Sequence, residues 1–334
     1  MFHTDAGGMP AGEENERGAL DRMRLESGFE NTRVYLRGLA GTNLANAQAL
    51  LADGSLRFGT LYLLLPDLQS LRLLGALGPR SAAALVLCRE IVAAPGGRGG
   101  KSLPGGETAH AALRWMLLTG GEDTGLSNEY DQILDTAAAV LIRSYHDGEA
   151  LPAAVAMVFS RRKKGLYLHD LVWALFSAQD ASVFPLIAGH LRSPDGGEAA
   201  LAAKLLRHAP EGAGEQSGAY EDYMAWLGEN GPYLLFTGEA FQSSSDPVPC
   251  RVDLPSKYLC RGPAVPAMRS DGAAAREQRE RAENFRRLGE RQQAALASYS
   301  ARLHGASPEE WKRFMGYPLE TQLRLADADA GGAR

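Results

Sequence analysis

Four consecutive cations, Arg161, Arg162, Lys163 and Lys164, make the densest basic run of the chain. Gly165 follows them, so they fall where a helix should end, and cations there interact favourably with the negative end of the helix dipole. The same turn is a candidate site for an anion or an acidic partner. Two other stretches carry residue types that could do chemistry. "PGGRGGKS" (95–102) ends in the Gly-Lys-Ser of a phosphate-binding loop. That loop needs a glycine where Pro95 stands and a strand before it, and the preceding pattern is helical. "ETAH" (107–110) has the Glu-x-x-His spacing used in di-iron bundles, but no second such motif accompanies it. A glutamate at a helix start is accounted for by the dipole alone.

The seven histidines, at 3, 110, 146, 169, 190, 208 and 304, include no pair at the i,i+4 zinc spacing. His190 and His208 fall on successive helical segments and could approach one another. His169 and Asp170 are adjacent, so on a helix they point about 100° apart and do not face each other. Cys250 and Cys260 lie too far apart for a Cys-x₂₋₄-Cys metal pair, and no histidine is near them in the chain to activate a thiol. Two buried, inert thiols are expected. No catalytic residue, metal or cofactor is assigned from these patterns.

These residues must be positioned by a chain of 334 residues, 45% hydrophobic and 22% charged, with a formal net charge of −5 and a pI of about 5.9. Such a chain can bury a sizeable core. An acidic balance disfavours broad, non-specific binding to nucleic acid, which uses a clustered basic surface. Three scattered cysteines do not make a disulfide framework. The N-terminal residues lack the pattern of a signal peptide, and the longest apolar runs fall far short of the roughly 20 residues of a membrane helix. A cytoplasmic protein with no membrane contact is expected.

Helical signals dominate. Residues 1–18 are polar and glycine-rich and read as disordered. From 19 to 94 the pattern is helical, with Leu64, Leu68, Leu71 and Leu74 at three-to-four spacing and Pro66 expected near a helix start or a kink. The glycine- and proline-rich stretch 95–106 reads as an exposed loop. Beyond it, Tyr130, Ile133, Leu134, Ala137 and Leu141 fall on one helix face. So do Leu168, Leu171, Val172, Leu175 and Phe176, and again Phe184, Ile187 and Leu191, followed by Leu201, Leu205 and Leu206. No sustained period-two alternation interrupts 107–230.

Displacing the sequence by 33 residues brings Pro152 onto Pro185, Ser160 onto Ser193, Leu168 onto Leu201 and Val172 onto Leu205. A two-helix unit repeating at this length implies stacked helix pairs, since one such unit cannot bury its apolar face alone. The stretch 180–210, with Pro185, Leu186, Leu191, Asp195, Ala199, Ala202, Leu205 and Leu206, resembles a HEAT repeat. It departs from the family at Gly196-Gly197-Glu198, just after the turn. The unit at 150–179 resembles it less, because its turn is Arg-Arg-Lys-Lys-Gly. The resemblance implies an all-α, right-handed HEAT-like α-solenoid over 107–230.

Residues 231–268 break the pattern. "TGEAFQSSSDPVPCRVDLPSKYLC" (237–260) reads as an extended strap laid over the helices, with Val248, Cys250, Val252 and Leu254 inward and Arg251 and Asp253 outward. Residues 269–330 return to helix. A long charged helix over 271–303 carries Phe285, Leu288, Leu296, Tyr299 and Leu303 on one stripe, and a shorter helix is capped by Ser307 with Pro308 at its first position. The function implied is a non-catalytic scaffold or adaptor that presents a groove or a loop edge, Arg161–Lys164 among them, to a protein or peptide. The alternatives are a solenoid-based enzyme of lyase or DNA-glycosylase type, or a nucleic-acid-binding HEAT-like protein; both rest on analogy of fold.

Overall fold

The protein is described from a computed structural model, which covers residues 17–93, 105–207, 216–239, 244–261 and 273–332. The expected disorder at 1–18 and the loop at 95–106, with its phosphate-loop-like motif, fall almost wholly outside these residues. Among the described residues the chain is all-α, with 17 α-helices and one two-stranded ladder. It divides into two compact units between Leu186 and Ile187. That division cuts the stretch 180–210 on which the HEAT resemblance is clearest.

The first unit begins with α1 (Ala19–Ser27), α2 (Phe29–Thr42), α3 (Leu44–Ala52), α4 (Phe58–Ser70) and α5 (Pro79–Ala93). It continues with α6 (Glu107–Gly120), α7 (Asn128–Arg143), α8 (Ala150–Lys164) and α9 (His169–Ser177). From α5 to α9, neighbours pack on one another, and so do α5 with α7, α6 with α8 and α7 with α9. The apolar periodicity explains this. Tyr130, Ile133, Leu134, Ala137 and Leu141 of α7 are all fully buried, and Leu171, Val172, Leu175 and Phe176 of α9 are buried as well. In α4 the expected stripe holds for Leu64 and Leu68 and then fails. Arg72 takes a left-handed backbone (φ 55°) just after the helix, and this turn brings Leu73 into the core in place of Leu71 and Leu74. Pro66 lies inside α4 instead of at its start.

Buried polar groups tie the early helices together. Asp21 is fully buried, accepts from the Thr60 hydroxyl and, at 3.0 Å, from the Arg57 amide at the start of α4. Burial raises its pKa, partly offset by these bonds. Asp67, also buried, accepts from Arg33 Nε at 2.8 Å and Arg37 Nε at 2.6 Å. Burial acts to raise its pKa, but the two guanidiniums outweigh it and hold the carboxyl below its ordinary value. Arg24 forks onto Asp123 at 2.8 and 2.9 Å, and Asp123 rests on the backbone of Gly59.

The second unit holds the end of α10 (Val183–Gly189), then α11 (Gly196–Leu206) and α12 (Gln216–Asn230). Next come β1 (Leu234–Phe236), β2 (Cys250–Val252), α13 (Leu254–Tyr258), α14 (Ala273–Arg286), α15 (Glu290–Ala306), α16 (Pro308–Met315) and α17 (Leu319–Gly332). The stretch read as an extended strap is only in part extended. β1 and β2 pair antiparallel with Leu235 opposite Arg251, and Arg251 faces outward as expected. Asp253 does not: its side chain caps α13, accepting from the Ser256 amide. Over 254–258 the period therefore changes from 2 to 3.6, and Lys257 and Tyr258 turn inward, each 2% exposed.

Tyr258 stacks on Phe285 at 4.7 Å in a core with Leu296, Phe314, Met315 and Ala326. The segment therefore contributes to this unit's core. The long helix expected over 271–303 is two helices, α14 and α15. Gly289 adopts an extended backbone (φ −67°, ψ 152°) and starts the second. Ser307 caps α16 as the sequence predicts, accepting from the Glu310 amide at 3.3 Å.

A Cβ at Gly59 would lie 1.9 Å from Asp123 Oδ2. Gly59→Ala is expected to displace Asp123 from Arg24 and to lower unfolding stability by about 1–3 kcal/mol in denaturant titration, the cost of overpacking beside a half-buried ion pair.

Candidate functional site

The basic run ends α8, and the helix end explains its layout. Gly165 takes a left-handed backbone (φ 67°, ψ 25°); its amide donates to the Arg162 carbonyl at 3.2 Å, and the Leu166 amide donates to the Arg161 carbonyl at 2.9 Å. This is the glycine-terminated helix end in which two otherwise orphaned carbonyls are satisfied. The four cations then divide. Arg161 is 1% exposed, whereas Arg162, Lys163 and Lys164 lie on the surface.

Arg161 is not available to an outside anion, which corrects its place in the predicted binding run. Its Nε donates to the Thr124 hydroxyl at 2.8 Å, and Nη1 donates to Asp135 Oδ2 at 3.0 Å and to the Tyr167 carbonyl at 3.1 Å. Nη2 lies 2.8 Å from Asp135 Oδ1 and 3.5 Å from Asp131 Oδ1. The Thr124 hydroxyl passes its own proton toward Asp131 Oδ1 at 2.9 Å, which also accepts from the Gly125 amide at 2.8 Å. Lys164 reaches back to the Thr124 carbonyl. One guanidinium thus joins α7, the end of α8, the turn after α6 and the connection to α9.

Sequence reading missed Asp131 and Asp135. The available signal was their i,i+4 spacing: two like charges on one helix face are unfavourable unless a cation lies between them. Desolvation raises the pKa of Asp135 to about 6, against the lowering effect of Arg161; nearby Asp170 and Asp131 raise it further. Tyr167 stands at the surface of this turn, 58% exposed, with its ring 5.0 Å from that of His169.

The remaining candidates do not assemble into reactive sites. His110 of the Glu-x-x-His motif places Nε2 2.8 Å from Asp147 Oδ2 and stacks on Tyr145 at 4.5 Å, while Glu107 is exposed. Asp147 also accepts both ends of the Arg114 fork, at 2.8 and 2.9 Å, and the Glu149 amide at the start of α8. Burial acts to raise the Asp147 pKa, but these bonds outweigh it and lower it. His190 lies 3.5 Å from Glu198, which accepts from Ser193 at 2.6 Å; His208 is outside the described residues. The histidine does not stand between serine and carboxylate, as proton transfer from a nucleophile requires.

Cys250 and Cys260 are half-buried, not fully buried, because they lie on the two-stranded ladder and beside α13. Burial lifts the Cys250 thiol to about 11 and raises that of Cys260, so both are poor nucleophiles at neutral pH. No group of three or more histidine, cysteine or acidic side chains that could hold a metal occurs among the described residues, and none of their helices is long and apolar enough to cross a membrane. Comparison of the chain with family models, curated proteins and solved structures gives no match.

Arg161→Ala strands Asp131, Asp135 and the Thr124 hydroxyl, and is expected to cost about 3–5 kcal/mol in chemical denaturation, against less than about 0.5 kcal/mol for the exposed neighbour Arg162→Ala. The raised Asp135 pKa makes the folded state bind a proton more tightly than the unfolded state between about pH 4 and 6. Its contribution to stability therefore falls as pH rises through that window. The stability of Asp135→Asn relative to wild type should increase from pH 4 to pH 7; a relative stability that instead declines with pH would contradict the assignment.

Proposed function

We propose that this chain is a non-catalytic scaffold or adaptor of the HEAT-like α-solenoid type, and that its α8–α9 edge binds an acidic segment of a protein partner. The solenoid reading is supported by the packing of α5 to α9, in which each helix meets both its neighbour and its next neighbour, as stacked helix pairs do. The observation that carries the function is the division of the basic run. Arg161 is consumed in holding the turn, while Arg162, Lys163 and Lys164 lie at the surface, Lys164 with its ammonium on the Thr124 carbonyl, a few residues before the exposed Tyr167.

A turn that carries surface cations and, close by in the chain, an exposed aromatic suits carboxylate side chains on an extended peptide: charge steers the encounter and the ring supplies contact area. The edge suits nucleic acid less well. Its cations are confined to one turn, with Asp131, Asp135 and Asp170 close by, and the chain is acidic overall, whereas a phosphate backbone is met by a broad basic surface. The non-catalytic reading is supported by the state of the buried ionisable groups. Asp67, Asp147, Arg161 and Lys257 are saturated by partners within the fold, and the thiols have raised pKa values.

Fluorescence anisotropy with a labelled polyglutamate peptide at physiological salt tests the reading. Binding is expected for the wild type, weakened about tenfold or more by the combined Arg162→Glu, Lys163→Glu and Lys164→Glu changes, and several-fold by Tyr167→Ala. Failure to bind the acidic peptide, or tighter binding of a short DNA duplex, would overturn it.

A further inference from the structure

The described chain begins beside the basic turn. Arg17 Nη2 lies 3.3 Å from Glu122 Oε2, in the turn after α6. Two residues on, Thr124 accepts from Arg161 through its hydroxyl and from Lys164 through its carbonyl. Glu122 and Thr124 are at most about 7 Å of chain apart. Arg17 and the cationic end of α8 therefore meet the same turn, within the first unit. Residues 1–16 lead into Arg17, and they carry Asp5, Glu13, Glu14 and Glu16 with no lysine or arginine. Three of these carboxylates fall within the four residues before Arg17; Glu13, the farthest of them, is about 14 Å of extended chain away. The cations at that entry already have partners: Arg17 and Arg57 meet Glu122, and Arg24 meets Asp123.

We propose that Glu13, Glu14 and Glu16 are an internal occupant of the α8–α9 edge, seated on Arg162, Lys163 and Lys164, which an acidic partner must displace to bind. The proposal rests on the reading of that edge as a site for acidic segments. Charge selects the occupant. The first unit's other stretch outside the described residues, 94–104, carries Arg98 and Lys101 and no carboxylate. Three carboxylates match three surface cations, and the acidic neighbours on α7, Asp131 and Asp135, are directed onto Arg161. A ligand tethered a few residues from its site is present at effectively millimolar concentration, so a contact too weak to hold a free peptide still competes with one. The edge is thereby closed to weakly acidic surfaces and yields to a longer or more densely acidic segment.

Two measurements on the full chain test this. In fluorescence anisotropy with labelled polyglutamate at physiological salt, the combined Glu13→Gln, Glu14→Gln and Glu16→Gln changes should tighten binding about threefold or more. The combined Glu26→Gln, Glu30→Gln and Glu90→Gln changes remove the same charge from exposed positions elsewhere on the first unit, and should alter it by less than about twofold. Carbodiimide treatment of the unmodified chain at low micromolar concentration should join Glu13, Glu14 or Glu16 to Lys163 or Lys164 within one chain, read by mass spectrometry of the monomer. Equal effects of the two sets of changes, or no such cross-link, would overturn the proposal. If the cross-link forms and neither wild type nor variants bind the peptide, the reading of the edge as a partner site fails and the internal contact stands. If wild type and variants bind alike and no cross-link forms, the internal contact fails and the partner site stands.

Discussion

A guanidinium cannot be buried alone, and Arg161 is 1% exposed. The cost of taking that charge out of water obliges the surrounding fold to deliver acceptors from several directions. Asp131 and Asp135 come from consecutive turns of α7, Thr124 from the turn after α6, and the Tyr167 carbonyl from the connection to α9. The acceptors come from one helix and two turns, so one side chain fixes α8 against α7 and both turns. The exposed edge owes its shape to this buried contact. With Arg161 drawn inward and Gly165 reversing the chain, Arg162 and Lys163 lie at the surface and Lys164 reaches back to the Thr124 carbonyl.

The same rule recurs elsewhere in the molecule. Asp21, Asp67 and Asp147 are buried carboxylates, each met by guanidinium, hydroxyl or backbone donors from another helix. Lys257 is the counterpart in the second unit, with Nζ 2.7 Å from Glu229, 2.8 Å from Asn230 and 3.0 Å from Ser298. Ser300 and Trp311 continue that network, donating to the Tyr258 carbonyl and to the Ser300 hydroxyl at 2.7 and 2.9 Å. Such groups specify which helices meet, a selectivity that interchangeable leucines and alanines do not provide. They also keep ionisable side chains occupied: His110 of the Glu-x-x-His motif meets Asp147 at 2.8 Å.

Helix identity was legible in the sequence because it rests on local periodicity. The faces through Tyr130 and Leu141, and through Leu171 and Phe176, are buried as their spacing requires, and the Ser307 cap forms where its hydroxyl and Pro308 place it. Where a single residue changed the backbone, the local pattern misled. Arg72 moved the burial from Leu71 and Leu74 to Leu73, Asp253 converted an apparent alternation into a helix start, and Gly289 divided one helix into two.

The sequence by itself thus determined an all-α chain, most of its buried stripes and the existence of a basic turn at the end of α8. Only the tertiary structure decided what that turn could do. Whether an arginine is surface charge or core depends on carboxylates 26 and 30 residues away in the chain. Hydrophobic spacing is a property of neighbours along a helix, whereas the pairing of a buried charge is settled by whichever distant segment packing brings within 3 Å of it.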